Sequence, residues 1–184
     1  MKNNRPPVVA VIGRKESGKT MVVEYLISRL TEKGIKAASL KHIHDLDFTI
    51  DTPGKDTWRH TKAGAKVVVS VAEKEIAIIK RLDTPSFDFN ILMNLLNAEN
   101  LDIVFLEGFH SLIGRNNSVF KIITARKPRD LAETLSHTAP PILAVSGLIS
   151  EQSIKLDIET PIINLETNGE HLIQMIEKQV LKKV

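Results

Sequence analysis

Cysteine is absent from the 184 residues. No disulfide, thiolate metal centre or cysteine nucleophile can be built from this chain. Aromatic residues make up 4%, with a single Trp and a single Tyr, too few for the stacking platforms that hold single-stranded nucleic acid. Neither sign of charge dominates: 25 Lys and Arg oppose 22 Asp and Glu, a net of +3. That balance suits small anionic ligands and gives no electrostatic case for nucleic acid. No apolar run approaches the ~18 residues that span a bilayer, and the stretch Val8 to Ile12 is too short for a secretory leader. A cytoplasmic protein with neither membrane nor nucleic-acid partner is expected. What is present fits a packed domain: 42% hydrophobic and 26% charged residues, enough to bury about 70% of the unfolded chain's surface. A single nucleotide-binding domain over residues 1–184 is the expectation.

Apolar runs of strand length alternate with helix-length patterns, which reads as α/β with a mainly parallel sheet flanked by helices. Val8 to Ile12 is a continuously apolar strand of the buried kind. A helix is predicted over Lys19 to Lys33, with Val22, Val23, Leu26, Ile27 and Leu30 on one face and Gly34 as its stop. Ile35 to Leu40 reads as a strand and His42 to Asp56 as a loop. Asp56 would cap a short helix to Ala63. Lys66 to Val71 and Glu75 to Leu82 form a candidate hairpin. Phe87 to Leu96 is amphipathic and helical, Leu101 to Leu106 is a second apolar strand, and Gly108 to Ser118 reads as loop. Val119 to Thr124 is a strand followed by a helix near Pro128. Ile142 to Val145 and Pro161 to Leu165 read as late strands, and a C-terminal helix is expected from about Glu170.

Gly13-Arg14-Lys15-Glu16-Ser17-Gly18-Lys19-Thr20 fits G-x-x-x-x-G-K-[ST] without a gap. It stands directly after a buried strand and before an amphipathic helix, as a phosphate loop must. In such a loop successive backbone N–H groups form a nest for phosphate oxygens, and the helix start adds its positive end. Lys19 would reach the β- and γ-phosphates and Thr20 would ligate Mg²⁺. The expected architecture is thus the three-layer P-loop NTPase fold.

Such a loop needs a carboxylate partner for the Mg²⁺ shell or an attacking water. Glu107 closes the apolar run Leu101 to Leu106, at the strand end where ligands of parallel sheets gather. It is the main candidate, catalytic as well as metal-binding. Asp51, in Asp51-Thr52-Pro53-Gly54, has the form of a D-x-x-G element but follows a polar segment; it either joins the same crevice or makes a turn before Pro-Gly. No N-K-x-D element identifies guanine. His42 and His44 alternate and would share a side of a strand end. They read as two metal ligands, as contacts to an anion or heterocycle, or as polar loop. Lys55, Arg59, His60 and Lys62 would bind a phosphorylated ligand or form a solvated helix face. Arg115 and Lys121 flank the Gly-Asn loop and would touch a second anionic ligand or serve structure alone.

The phosphate loop, Lys41-His42-Ile43-His44, the run Phe48 to His60 containing Gly54-Lys55-Asp56-Thr57-Trp58-Arg59, Ala63-Gly64-Ala65, Glu107-Gly108-Phe109 and Lys121-Ile122-Ile123 together resemble the molybdopterin-guanine dinucleotide biosynthesis adapter (MobB) family. The resemblance spans about residues 8 to 148. It implies a GTP-binding P-loop homodimer with an accessory role beside the enzyme that joins a guanine nucleotide to molybdopterin, and slow Mg²⁺-dependent GTP hydrolysis at most. By motif match, Gly13, Arg14, Lys15, Glu16, Ser17, Gly18, Lys19 and Thr20 would hold the GTP phosphates. Thr20, Glu107 and Asp51 would serve Mg²⁺. Lys41, His42, Asp51, Lys55 and Arg59 would face the nucleotide or a pterin partner. The sequence departs from the family pattern at His110, where lysine is common, and at Gly147, where aspartate is common. Two other readings stand beside this one: a P-loop small-molecule kinase or ATP-dependent ligase, and a regulatory GTPase switching through Asp51 to Gly54.

Overall fold

The computed structural model describes residues 5–45, 47–82, 88–152 and 158–182. The chain divides into two compact units, one of residues 1–42 with 89–184 and one of residues 43–88.

The larger unit holds a five-stranded sheet of β1 (Val8–Gly13), β2 (Ala37–Lys41), β5 (Ile103–Glu107), β6 (Phe120–Thr124) and β7 (Ile142–Ser146), in the order β2-β5-β1-β6-β7. Every pairing is parallel. Parallel central strands are covered on both faces, which is why Val8 to Ile12 of β1 and Ile103 to Leu106 of β5 are continuously apolar rather than alternating. Val9 and Val11 of β1 pack with Val22, Val23, Leu26 and Leu30 of α1 (Lys19–Glu32) and with Leu172 and Ile173 of α6 (Leu165–Met175). Ala10 and Ile12 alternate to the other side of the pleat. The remaining helices of this unit are α3 (Phe89–Asn94), α4 (His110–Ile113) and α5 (Pro128–Ser136). Each fully buried Leu or Ile contributes about 1.5–3 kcal/mol by leaving water. α1 ends where expected: Gly34 N–H donates to Thr31 O at 2.9 Å and Ile35 N–H to Leu30 O at 3.0 Å, the paired bonds of a glycine-terminated helix.

The smaller unit contains α2 (Asp56–Lys62) and the antiparallel hairpin of β3 (Val67–Val71) and β4 (Ile76–Lys80), as the sequence predicts. Lys55 rather than Asp56 takes the cap position of α2.

Several expected boundaries move. The segment 108–118 is not all loop, since α4 forms within it. The helix expected over Phe87 to Leu96 is the shorter α3, and Phe87 lies outside the described residues. Pro161 to Leu165 is not a strand: a single bridge joins Ile162 to Val145, and Leu165 already belongs to α6. That helix begins five residues before Glu170 because Asn164 Oδ1 accepts from Glu166 N–H at 2.9 Å and Thr167 N–H at 3.2 Å, giving it an N-cap.

Candidate functional site

The strand register assembles the site. β5 lies between β2 and β1, so Lys41 stands beside Glu107, and Glu107 beside Val11. On the other flank Gly13 pairs with Thr124, and Thr124 with Ser146. Lys41 and Glu107 thus share one row with Val11, and Gly13, Thr124 and Ser146 form a second row two residues farther along β1; both rows lie at the carboxyl ends of parallel strands, the usual place for a ligand.

The loop Gly13 to Thr20 leaves this row and turns into α1. Its backbone takes φ of +157° at Gly13, +59° at Glu16 and +93° at Gly18. Ser17, fully buried, braces it: the hydroxyl is 2.8 Å from Arg14 O and 2.7 Å from Thr124 Oγ1. Leu148 N–H donates to Ser17 O at 3.3 Å. Lys19 Nζ arches back over the loop and donates to Gly13 O at 3.0 Å and Arg14 O at 2.6 Å. Burial pushes the Lys19 ammonium below the ordinary lysine range, and Lys41 adds to that, while Glu107 opposes it. An ammonium held at the mouth of a nest of backbone N–H groups gives a site for oxyanions.

Thr20 Oγ1 donates to Glu107 Oε1 at 2.7 Å. The Lys41 ammonium lies 3.0 Å from the same carboxylate oxygen and donates to Thr20 Oγ1 at 3.3 Å. Glu107 is buried, whereas Lys41 is half exposed at the rim. A hydroxyl and a carboxylate oxygen side by side are hard ligands of the kind Mg²⁺ prefers. The lysine ammonium already seated against both shows that this oxygen pair accommodates a cation. Among the described residues no group of three His, Asp or Glu is placed to hold a metal by itself.

His42 adjoins the cluster. Its backbone N–H donates to Glu107 O at 3.0 Å and its ring stacks on Phe109 at 5.1 Å. Arg14 pairs with Glu133 and approaches Asp130 at 4.0 Å; Glu16 pairs with Arg126 at 3.5 Å; Lys15 is exposed on the loop. Asp51, Lys55 and Arg59 belong to the smaller unit. There Asp51 is buried, and its Oδ1 accepts from Thr52 N–H at 3.0 Å and Thr57 Oγ1–H at 2.7 Å. This bonding ties the turn to α2, while its Oδ2 has no hydrogen-bond partner among the described residues. Lys55 is exposed at the start of α2, and Arg59 pairs with Asp56 at 3.8 Å. Lys121 is fully buried and donates to Asn116 O at 2.6 Å and Pro140 O at 3.2 Å. Its work is structural, and burial pushes its pKa down.

Sequence reasoning missed Thr124 and read Gly147 only as a departure from the family pattern, not as a contact of the phosphate loop. Thr124 and Gly147 follow from one rule: each stands at the end of a strand already recognised in the sequence, where a parallel sheet gathers its functional residues. Gly147 has a particular reason to lack a side chain. Its φ is +76°, and a Cβ there would lie 2.2 Å from Ser17 O, so the aspartate common in the resembling family has no room.

The comparisons with known proteins agree with this arrangement. A family model described as "Molybdopterin guanine dinucleotide synthesis protein B" (MobB) matches residues 8–147. The chain is 26% identical over 180 residues to the molybdopterin-guanine dinucleotide biosynthesis adapter protein of Escherichia coli K12, covering 94% of this chain and 95% of that one. It is 33% identical over 108 residues to the adapter protein of Haemophilus influenzae, covering 58% and 59% respectively. In three dimensions it resembles the crystal structure of Bacillus subtilis MobB with a TM-score of 0.72 at 23% identity, over 95% of this chain and 98% of that one.

Proposed function

The chain belongs to the molybdopterin guanine dinucleotide synthesis protein B (MobB) family, and from that premise we propose that it is a GTP-binding adapter of molybdenum cofactor biosynthesis, assisting the attachment of a guanine nucleotide to molybdopterin. The observation that carries this reading is the meeting of Lys19, Thr20, Lys41 and Glu107 around the loop Gly13 to Thr20.

In this reading the loop's N–H groups and Lys19 hold the triphosphate, Lys19 exchanging its carbonyl partners for phosphate oxygens. Thr20 and Glu107 hold Mg²⁺, which when bound offsets the charge of the β- and γ-phosphates. Lys41, seated on the Thr20–Glu107 pair, would contribute its positive charge beside the nucleotide. Asp51 either completes the metal shell or keeps only its turn with Thr57. His42, Lys55 and Arg59 contact the nucleotide or the pterin-bearing partner. Lys19 and Glu107 carry what slow hydrolysis there is, beside the accessory role. The protein partner is the molybdopterin guanylyltransferase and related cofactor enzymes, and the setting is cytoplasmic. Residues 1–184 act as one nucleotide-binding domain that carries the 43–88 unit, and the working state is a homodimer.

Calorimetric titration with GTP and ATP, with and without Mg²⁺, tests the reading. Lys19→Ala should weaken GTP binding roughly 100-fold, the loss of about 3 kcal/mol of charge-assisted hydrogen bonding. Glu107→Gln should remove the Mg²⁺ dependence and leave metal-free affinity close to the parent's. Undiminished affinity in Lys19→Ala would sink the phosphate-loop assignment. Turnover above about 1 per second with a small-molecule acceptor would replace the adapter by a kinase.

A further inference from the structure

A cleft of about 510 Å³ opens beside the first two residues of the phosphate loop. Its walls include Gly13 and Arg14 from the loop, His110 and Arg115 from α4 and its exit, and Glu133 and His137 from α5 and its end. The volume lies in the range of small-molecule sites, roughly 300–1,000 Å³. None of Lys19, Thr20, Lys41 or Glu107 lines it, so it is not the cluster described above.

Its two guanidinium groups are held differently. Arg14 approaches the buried carboxylate of Asp130 at 4.0 Å and pairs with the half-exposed Glu133. Asp130 Oδ2 accepts no hydrogen bond among the described residues; the carboxylate lies beneath Arg14 and is shared with Arg126, whose Nε is 3.8 Å from Oδ2. The outer pair with Glu133 is solvated and therefore weak, so an incoming anion can take Glu133's place. Arg115 is exposed on the cleft wall, and no ion pair or hydrogen bond occupies its guanidinium among the described residues.

His110 supplies a fixed, flat wall. A Cβ on Gly114 would lie 2.6 Å from His110 Cδ2, so the ring rests where only glycine permits it. Its Nε2 is 3.0 Å from Thr138 Oγ1. That hydroxyl donates its own hydrogen to Thr134 O at 2.6 Å, so His110 Nε2 is the donor. Burial holds the His110 ring below the ordinary histidine pKa, and the charge of His137 acts in the same direction against a backbone hydrogen bond to His137. The ring thus carries positive charge less readily than an ordinary histidine, and Arg14 and Arg115 are the permanent cations of the cleft.

We propose that this cleft binds a second small molecule, one with a flat ring and a terminal phosphate, its phosphate between Arg115 and Arg14 and its ring against His110. Guanidinium groups match phosphate by paired N–H donors. The shared wall at Gly13 and Arg14 makes this molecule a neighbour of the triphosphate; that neighbourhood rests on the GTP reading, whereas the cleft itself does not.

The probe is phenyl phosphate, titrated into the full chain while the histidine ring resonances are followed by NMR, with inorganic phosphate and benzoate as comparison arms. Saturable shifts at His110 and His137 are expected, persisting in Lys19→Ala and weakened about tenfold or more in Arg115→Gln. Inorganic phosphate should shift the same rings with lower affinity. Arg115 has no partner to lose, so its variant should fold like the parent. Equal affinity in Arg115→Gln, or shifts that vanish in Lys19→Ala alone, would overturn the proposal, the latter by moving the anion to the phosphate loop. Benzoate binding as tightly as phenyl phosphate would overturn the phosphate assignment. A parent that fails to bind GTP but keeps Arg115-dependent shifts would sink the nucleotide reading and leave the cleft standing.

Discussion

At Gly147 three chain segments meet. A Cβ there would lie 2.2 Å from Ser17 O and 3.0 Å from Thr124 Cβ, with φ at +76°. A substitution meets both backbone strain and overlap with the phosphate loop. Gly147→Asp should cost about 2–4 kcal/mol and lower Tm by roughly 5–15 °C in a domain of this length. Scanning calorimetry would measure it, and an unchanged Tm would mean the Ser17 carbonyl moves aside cheaply. The same residues show what could be read without a structure. Lys19 and Thr20 are legible because their partners are covalent neighbours in one loop. Glu107 is legible because an apolar strand announces its own end. Thr124 meets Ser17 across 107 positions of sequence, and Gly147 meets it from farther still. No local pattern encodes such a contact; only the strand order does. Asp51 offers two readings in sequence, a metal ligand and a turn before Pro-Gly, and its hydrogen bonds to Thr52 and Thr57 are those of the turn to α2.

Among the elements, those with a single strong period are read correctly. β1 and β5 run apolar up to their last residue because they sit inside a parallel sheet, and α1 carries its buried residues at helical spacing. The segment after residue 160 misleads for a physical reason. Pro161 to Leu165 is apolar enough for a strand, but it makes one bridge and then turns into α6. Asn168 and Gly169 are poor helix formers, and Asn168 departs from helical angles, so the first turns of α6 look like loop. What starts the helix there is the Asn164 cap. Asn164→Ala removes the acceptor for two backbone N–H groups and should cost about 1 kcal/mol, a Tm loss of roughly 2–4 °C. Denaturant unfolding would detect it as a lower midpoint at constant slope. No change would mean that packing of Leu172 and Ile173, not the cap, fixes where α6 begins.

At the scale of the molecule, the 43–88 unit carries an apolar face that is exposed among the described residues. Val69 lies opposite Ile78 and Val71 opposite Ile76 across the β3–β4 hairpin. Alternation puts Val67 on the same face, and these five side chains are 49–73% exposed. A two-stranded hairpin is marginal in water without a covering partner, and contiguous exposed apolar surface of this kind marks an interaction site. A second copy of the chain supplies an identical face, and a self-complementary patch closes a symmetric dimer. The proposed homodimer therefore predicts that Val69→Glu with Ile78→Glu converts the protein to a monomer. Sedimentation should show the mass fall from twice 20.5 kDa to 20.5 kDa. GTP affinity should stay within about twofold, because the substitutions lie outside the Lys19–Thr20–Glu107 cluster and act on association alone. A parent that already sediments as a monomer, or a variant that stays dimeric, would remove the hairpin from the interface. A variant that loses GTP binding together with dimerisation would instead show that the partner copy completes the nucleotide site.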